Sequence, residues 1–357
     1  MSTTSTKPAP AKDSLDRGVP LMEVADLAVS FDNSTGGPRI QAVNGVNMAL
    51  FPRQTLAVVG ESGCGKSVTA MSTMQLIPRP PGRFDRGSIL FEGRDICSLR
   101  EEDMLSIRGG KIAMIFQEPM TSLNPVYTIG DQLLEAILLH QKVGIGEARS
   151  IAVQAMKDVG IKKPEERLAM YPHQFSGGMR QRVMIAMALA CRPKVLLADE
   201  PTTALDVTIQ AQILDLLRAL QEEFRMAVII ITHNLGVVAE FADRVLVMYA
   251  GRTVEQASVE GVFDRPSHPY TEGLLASIPD LEADALRLTA IPGTLPNPHE
   301  LPPGCRFQPR CGYARDECTA VLPPLLPVSP AHYAACIRHN GYRIDGAAAP
   351  MGASGAR

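Results

Sequence analysis

Between residues 60 and 67 the chain reads Gly60-Glu61-Ser62-Gly63-Cys64-Gly65-Lys66-Ser67, a glycine-rich turn ending in a lysine and a hydroxyl. Glycines in such a turn let backbone N–H groups point at phosphate oxygens, the lysine bridges β- and γ-phosphates, and the hydroxyl holds Mg2+. The spacing predicts a nucleoside triphosphate held by Gly60, Ser62, Gly63, Cys64, Gly65, Lys66, Ser67 and the following Val68. A second group complements it: four apolar residues, Val195 to Ala198, run into Asp199-Glu200. A buried strand there presents Asp199 to the metal and leaves Glu200 to polarise an attacking water. Ser176-Gly177-Gly178-Met179-Arg180-Gln181 precedes a helical run, so Ser176 can cap that helix while the glycines expose donors to a second anion. Gln117 and His233 follow strand-like runs, where a phosphate-handling site keeps its water-positioning groups.

Each of these has an ordinary structural reading when taken alone. An acidic pair after a strand caps a turn, Ser-Gly-Gly caps a helix, and a histidine or glutamine at a strand end is a satisfied polar side chain. Their order along one chain is what favours the chemical reading. Cys64 stands at a position where the backbone donor matters, and redox gating through it would need an activated thiolate.

The elements that must position these residues follow from local pattern. Val24 to Phe31 and Leu56 to Val59 read as strands, the second feeding the glycine turn, and Ser67 to Ile77 reads as a helix stopped by Pro78, Pro80 and Pro81. Ser88 to Phe91 and Lys111 to Phe116 read as further strands. Residues 131–170 carry helical periodicity (Leu133, Leu134, Ile137, Leu138, then Ile151, Ala155, Val159), which predicts a helical insertion in an α/β core. Strands at Val195 to Ala198 and Val228 to Ile231 flank a helix with Ile213, Leu216, Leu217 and Leu220 on one face, a parallel βαβ unit. Past Gly251 prolines accumulate, and the end of the chain is a tail of small residues.

A chain of 357 residues accommodates one large core and an appended module. Its net charge of -3, from 35 basic and 38 acidic residues, supplies no field that would gather nucleic acid. The longest apolar runs are far short of the roughly 20 residues that cross a bilayer. The first residues are rich in Ser, Thr, Pro and Lys and lack an apolar signal core, so a disordered leader and a cytoplasmic location are expected.

The set GESGCGKS, Gln117, FSGGMRQR, VLLADEP, Ala204-Leu205-Asp206 and Thr232-His233 resembles the nucleotide-binding subunits of ATP-binding cassette (ABC) transporters, over residues 21–257. The resemblance implies an α/β P-loop NTPase cassette, with a parallel-sheet core, a β subdomain and an inserted helical subdomain. It implies ATP and Mg2+ as cofactors, with Ser67, Gln117 and Asp199 on the metal. Glu200, Gln117 and His233 would be the catalytic residues. Ser176, Gly177, Gly178 and Gln181 would act in trans on the ATP site of a partner, and Asp206 would communicate across the dimer. Phe31 matches the position of the ring that stacks on adenine. One departure is Phe175, where the family usually has Leu before Ser-Gly-Gly.

FQEPMTSLNP at 116–125, Tyr171-Pro172-His173, Ser267-His268-Pro269-Tyr270-Thr271, Ile291-Pro292-Gly293 and Pro303-Gly304-Cys305 narrow the likeness to dipeptide and oligopeptide importer ATPases. That implies a peripheral subunit at the cytoplasmic face of the inner membrane, paired with a second, different ATPase chain. Two permeases and an extracytoplasmic solute-binding protein would complete the assembly. The cargo would be short peptides, with nickel, sugars or other solutes as the alternative. A soluble cassette acting on DNA or ribosomes is the rival class, disfavoured by the absence of basic runs. Expected boundaries are a leader at 1–18, the cassette at 19–279 with its helical subdomain at about 125–190, a C-terminal region at 280–342, and a tail at 343–357.

Cys305, Cys311, Cys318 and Cys336 leave gaps of five, six and seventeen residues, and four thiolates so grouped are a metal-site signature. The gaps are wide for a zinc finger and permit a [4Fe-4S] cluster; zinc and free structural thiols remain alternatives. The likeness to importer C-terminal regions that carry such clusters favours iron-sulfur, in a small cysteine-rich metal-binding module. His332 and His339 are close enough in sequence to substitute as ligands, with flanking polar roles favoured.

Overall fold

The computed structural model describes residues 18–33, 36–117, 122–203, 206–278 and 290–340. The leader at 1–17, the expected boundary near Asp280, Ala204-Leu205 and the tail lie outside them.

Two sheets stack. The smaller is antiparallel, β2-β1-β4-β5, from β1 (Met22–Phe31), β2 (Ile40–Leu50), β4 (Gly82–Phe91) and β5 (Arg94–Asp95). The larger has order β11-β12-β10-β9-β3-β8-β7-β6. Its parallel part comprises β3 (Thr55–Val59), β6 (Ile112–Ile115), β7 (Val195–Asp199), β8 (Ala227–Ile231) and β9 (Arg244–Tyr249). β10 (Arg252–Ser258), β11 (Leu326–Ser329) and β12 (His332–Ala334) add antiparallel strands at one edge.

Every residue of β3, β7 and β8 is buried, as expected of parallel strands covered on both faces. Alternation divides their side chains between two cores. Leu56 and Val58 join Val195, Leu197, Ile229 and Ile231 against the small sheet and helix α1 (Lys66–Ser72). Ala57 and Val59 join Leu196, Ala198, Val228 and Ile230 on the other face. There they meet the helical insertion, α2 (Ile129–His140), α3 (Ile145–Asp158) and α4 (Gly177–Leu189), together with α5 (Val207–Phe224). The expected insertion is therefore present between β6 and β7, and its apolar face is continuous with the main core. Thr128 opens α2 with a reciprocal capping box to Asp131.

Helix α1 stops at Ser72, five residues short of the expected Ile77. The prolines are not what ends it: Gln75 takes φ +50, and Leu76 N–H folds back to Met71 O at 2.9 Å. The guanidinium of Arg108 then donates to the carbonyls of Met74 and Gln75 left open by that ending, at 2.7 and 3.1 Å.

The C-terminal region does not fold apart from the cassette. β12 pairs with β10, Glu255 opposite Ala334 and Gln256 opposite Tyr333. A buried carboxylate pins the junction: Glu255 is fully buried, its Oε1 stands 2.7 Å from His332 Nε2, and it takes hydrogen bonds from Ser267 N at 2.7 Å and His268 N at 2.8 Å. His332 is thus a structural partner of Glu255, the polar role favoured above. Burial pushes the Glu255 carboxyl up, but His332 and the backbone hydrogen bonds from Ser267 and His268 outweigh it and hold the group below its ordinary value. Replacing a buried carboxylate that serves several donors leaves those donors poorly satisfied, so Glu255→Gln should cost about 3 kcal/mol of unfolding free energy. The carboxylate's contribution is whole above the ordinary carboxyl value of 4.5 and is lost as pH falls below it. Urea melts of parent and variant at neutral and acidic pH should therefore converge on the acid side.

Candidate nucleotide site

Gly60 leaves β3 at φ +150, and a Cβ there would lie 2.2 Å from Met248 O; Gly65 has φ +102, and a Cβ would meet Ala42 O at 2.6 Å. Both positions require glycine. The turn between them exposes Ser62 and Gly63, buries Cys64 and Lys66, and delivers Ser67 and Val68, both half-buried, into α1. Lys66 Nζ donates to Gly60 O at 2.8 Å and Glu61 O at 3.0 Å, which fixes the ammonium over the turn. Cys64 is inaccessible and burial pushes its thiol up despite nearby Lys66, so it lacks the activated thiolate that redox gating needs.

Asp199 ends β7, level with Ile231 at the end of β8, which is in turn level with Val58 of β3. Ser67 lies near enough to its carboxylate to draw its pKa down, while Oδ1 is buried without a hydrogen-bond partner. Burial pushes the Asp199 carboxyl up, the neighbouring Glu200 charge adds to this, and Ser67 opposes it. A buried carboxylate oxygen left unpaired is costly, and a divalent cation held by Asp199 and Ser67 would satisfy it, so these residues fit Mg2+.

Glu200 takes φ +47, a conformation an ordinary residue adopts at a cost of about 1 to 2 kcal/mol, and its N–H donates to Ile231 O at 2.9 Å. Its carboxylate gathers three groups. Thr203 Oγ1 donates to Oε2 at 2.8 Å, Gln117 Nε2 donates to the same oxygen at 3.1 Å, and His233 Nδ1 stands 3.2 Å from Oε1. Burial pushes the Glu200 carboxyl up, but the Thr203 and His233 bonds carry it below the ordinary carboxylate range. The two adjacent carboxyls are thus driven in opposite directions, Asp199 up by burial and Glu200 down by its hydrogen-bond partners. Gln117, expected on the metal, and His233, expected to orient the base, both reach Glu200 here. Thr203 was missed by the sequence reading, its signal being only a hydroxyl three residues after the base.

The serine-glycine tip is built separately. Ser176 caps α4 through Met179 N at 3.4 Å, Ser176 and Gly177 are exposed, and Gly178 sits against Ile209. Asp206 caps α5 by accepting from Ile209 N at 2.8 Å, so one isoleucine links that cap to the tip. Gln181 departs from expectation: it is buried and donates to Pro201 O at 2.6 Å, which uses its amide inside this chain rather than toward a partner. Phe31 ends β1 opposite Gly82 and Ile40, half-buried against the small-sheet core.

Cys305, Cys311, Cys318 and Cys336 line one cavity of 390 Å³, with Phe307 and Arg338. Burial pushes the Cys305 thiol up to about 11. Among the described residues no three His, Cys, Asp or Glu side chains form a ready seat for a metal ion. The expected cysteine-rich module is therefore a cavity ringed by thiols. No helix among the described residues is long and apolar enough to cross a membrane.

The family description "ABC transporter" matches residues 43–203, and "Oligopeptide/dipeptide transporter, C-terminal region" matches residues 254–318. The oligopeptide transport ATP-binding protein OppD of Bacillus subtilis is 54% identical over 314 residues, 88% of this chain and 87% of that protein. This chain belongs to the ABC transporter ATPases. The dipeptide transport ATP-binding protein DppD of the same organism is 51% identical over 316 residues, 88% of this chain and 94% of that protein. A dimeric ATP-binding cassette in a post-hydrolysis state with ADP and Pi matches with TM-score 0.59 and 25% identity, over 67% of this chain and 98% of its own.

For this ABC ATPase, Thr203→Val should remove a hydrogen bond that favours ionised Glu200 and so raise its pKa. The acid limb of the kcat profile should move to higher pH, with ATP affinity near the parent's. An unmoved acid limb would contradict this.

Proposed function

We propose that this ABC ATPase hydrolyses ATP to power import of short peptides through two permease subunits fed by an extracytoplasmic solute-binding protein. The observation that carries the catalytic part is the Glu200 carboxylate, ionised and held by Gln117, Thr203 and His233 beside the Ser67–Asp199 pair. The peptide cargo is supported by the match to the oligopeptide/dipeptide C-terminal region and by relatives named for oligopeptide and dipeptide transport. Nickel, a sugar or another solute is the alternative within the same importer class.

In this reading Lys66 and the N–H groups of 60–65 bind the β- and γ-phosphates, and Phe31 stacks on adenine. Ser67 and Asp199 hold Mg2+, with Gln117 completing the set; the metal, when bound, neutralises charge on the β- and γ-phosphates. Glu200 accepts a proton from the attacking water, and His233 steadies the base and meets the γ-phosphate. Ser176, Gly177 and Gly178 close the ATP site of a second ATPase subunit, which we propose is a different chain, and Asp206 carries the state of one site to the other. The complex would sit at the cytoplasmic face of the inner membrane, this chain peripheral to it.

We propose further that the four cysteines hold a [4Fe-4S] cluster. A cavity of 390 Å³ ringed by all four suits a bulky cluster better than a single Zn2+, which needs its ligands drawn onto one point. When bound, the cluster ties four chain positions together.

Glu200→Gln should lower ATP turnover at least about a hundredfold while ATP affinity stays within about twofold of the parent's. Peptide uptake into proteoliposomes carrying the whole complex should stop with it; turnover surviving in the variant would remove Glu200 as the base. Cys318→Ser should lower iron and sulfide per purified chain, whereas zinc lost in iron's place would favour the zinc site.

A further inference from the structure

The C-terminal region reaches back onto the phosphate-binding turn at Glu61. Arg310 NH1 donates to Glu61 Oε2 at 2.9 Å across 249 residues of chain, and its side chain is 6% exposed. The same group donates to Pro292 O at 2.8 Å and Tyr249 OH at 3.3 Å, so its plane is fixed by partners on three segments. Glu61 N–H donates to Tyr270 OH at 2.8 Å, and Tyr270 is fully buried. One residue of the turn is therefore held at its side chain and at its backbone, both times from beyond residue 260. The turn's own lysine also hydrogen-bonds Glu61 O, so displacing Glu61 would disturb the seat of Lys66.

We infer that Arg310 and Tyr270 are positioning residues for ATP binding: by fixing Glu61 they set the shape of the phosphate-binding turn, and with it nucleotide affinity, from the C-terminal region. Charge supports this as well as geometry. Glu61 carries a carboxylate in a turn that receives a polyanion, and the largely buried Arg310 side chain offsets that charge. Arg310 also stands next to Cys311, which lines the thiol cavity, so the short 3-10 turn Gln308–Arg310 joins that cavity to the nucleotide turn. The inference rests on the ATP-binding role alone and is independent of cargo and of what the cavity holds.

Equilibrium binding of ATP to the full-length chain, with melting temperatures taken without nucleotide, tests it. Arg310→Met should weaken ATP about tenfold, Glu61→Gln and Tyr270→Phe about threefold each, and Arg310→Lys should recover part of the loss. The Arg310→Met/Glu61→Gln double variant should bind no worse than Arg310→Met, because both changes break one contact. Arg310→Met affinity within twofold of the parent with only a lower melting temperature, or losses that multiply in the double variant, would overturn the inference. Should Arg310→Met not fold, Glu61→Gln, altered at a partly exposed turn, and Tyr270→Phe decide it: affinities unchanged in both would overturn it. A parent chain that bound no ATP would contradict the nucleotide site itself, a separate outcome.

Discussion

The register of three parallel strands governs this molecule. β3, β7 and β8 end within one rung of each other, which brings Gly60, the Asp199-Glu200 pair and His233 to a single edge although they are far apart in sequence. Each strand then does something different at that edge. β3 hands over to glycines that no other residue could replace at Gly60 and Gly65, β7 delivers a buried carboxyl and then a strained one, and β8 turns outward at Thr232. The strained φ of Glu200 is tolerated because its N–H closes onto Ile231 O and its carboxylate is tied from Gln117, Thr203 and His233.

Burial partitions the chemistry along that edge. Lys66 and Asp199 sit where solvent barely enters, so the phosphate-binding cation and the metal-seeking carboxylate act at low dielectric. His233 is largely open to solvent and Glu200 is intermediate between them. At the serine-glycine tip, Ser176 and Gly177 are likewise exposed.

Local sequence signals were sufficient where chemistry demands a fixed short spacing. The phosphate-binding turn, the apolar run into Asp199-Glu200, the capped tip at Ser176 and the helical insertion were all legible because each depends on residues within a few positions of each other. β2 was not, since Gln41, Asn44, Gly45 and Asn47 interrupt the alternation of a strand that has a core on one face only. The length of α1 was misjudged because the prolines drew attention from Gln75, whose left-handed turn depends on tertiary contacts to Ile96, Leu99 and Arg108. Gln181 was expected to act on a partner's site, and only packing shows that its amide donates to Pro201 O. Contacts such as Arg310 to Glu61 join distant segments and leave no trace in spacing.

The placement of β11 and β12 bears on how the chain can be shortened. They do not cap a separate unit; they occupy the outer side of β10 in the sheet that carries the nucleotide turn. Cutting the polypeptide before them would uncover a row of unpaired main-chain donors and acceptors along β10 and strand Glu255 without its histidine. A truncated cassette would thus be prone to recruit foreign strands, and sticky, self-associating material is the natural fate of such a fragment.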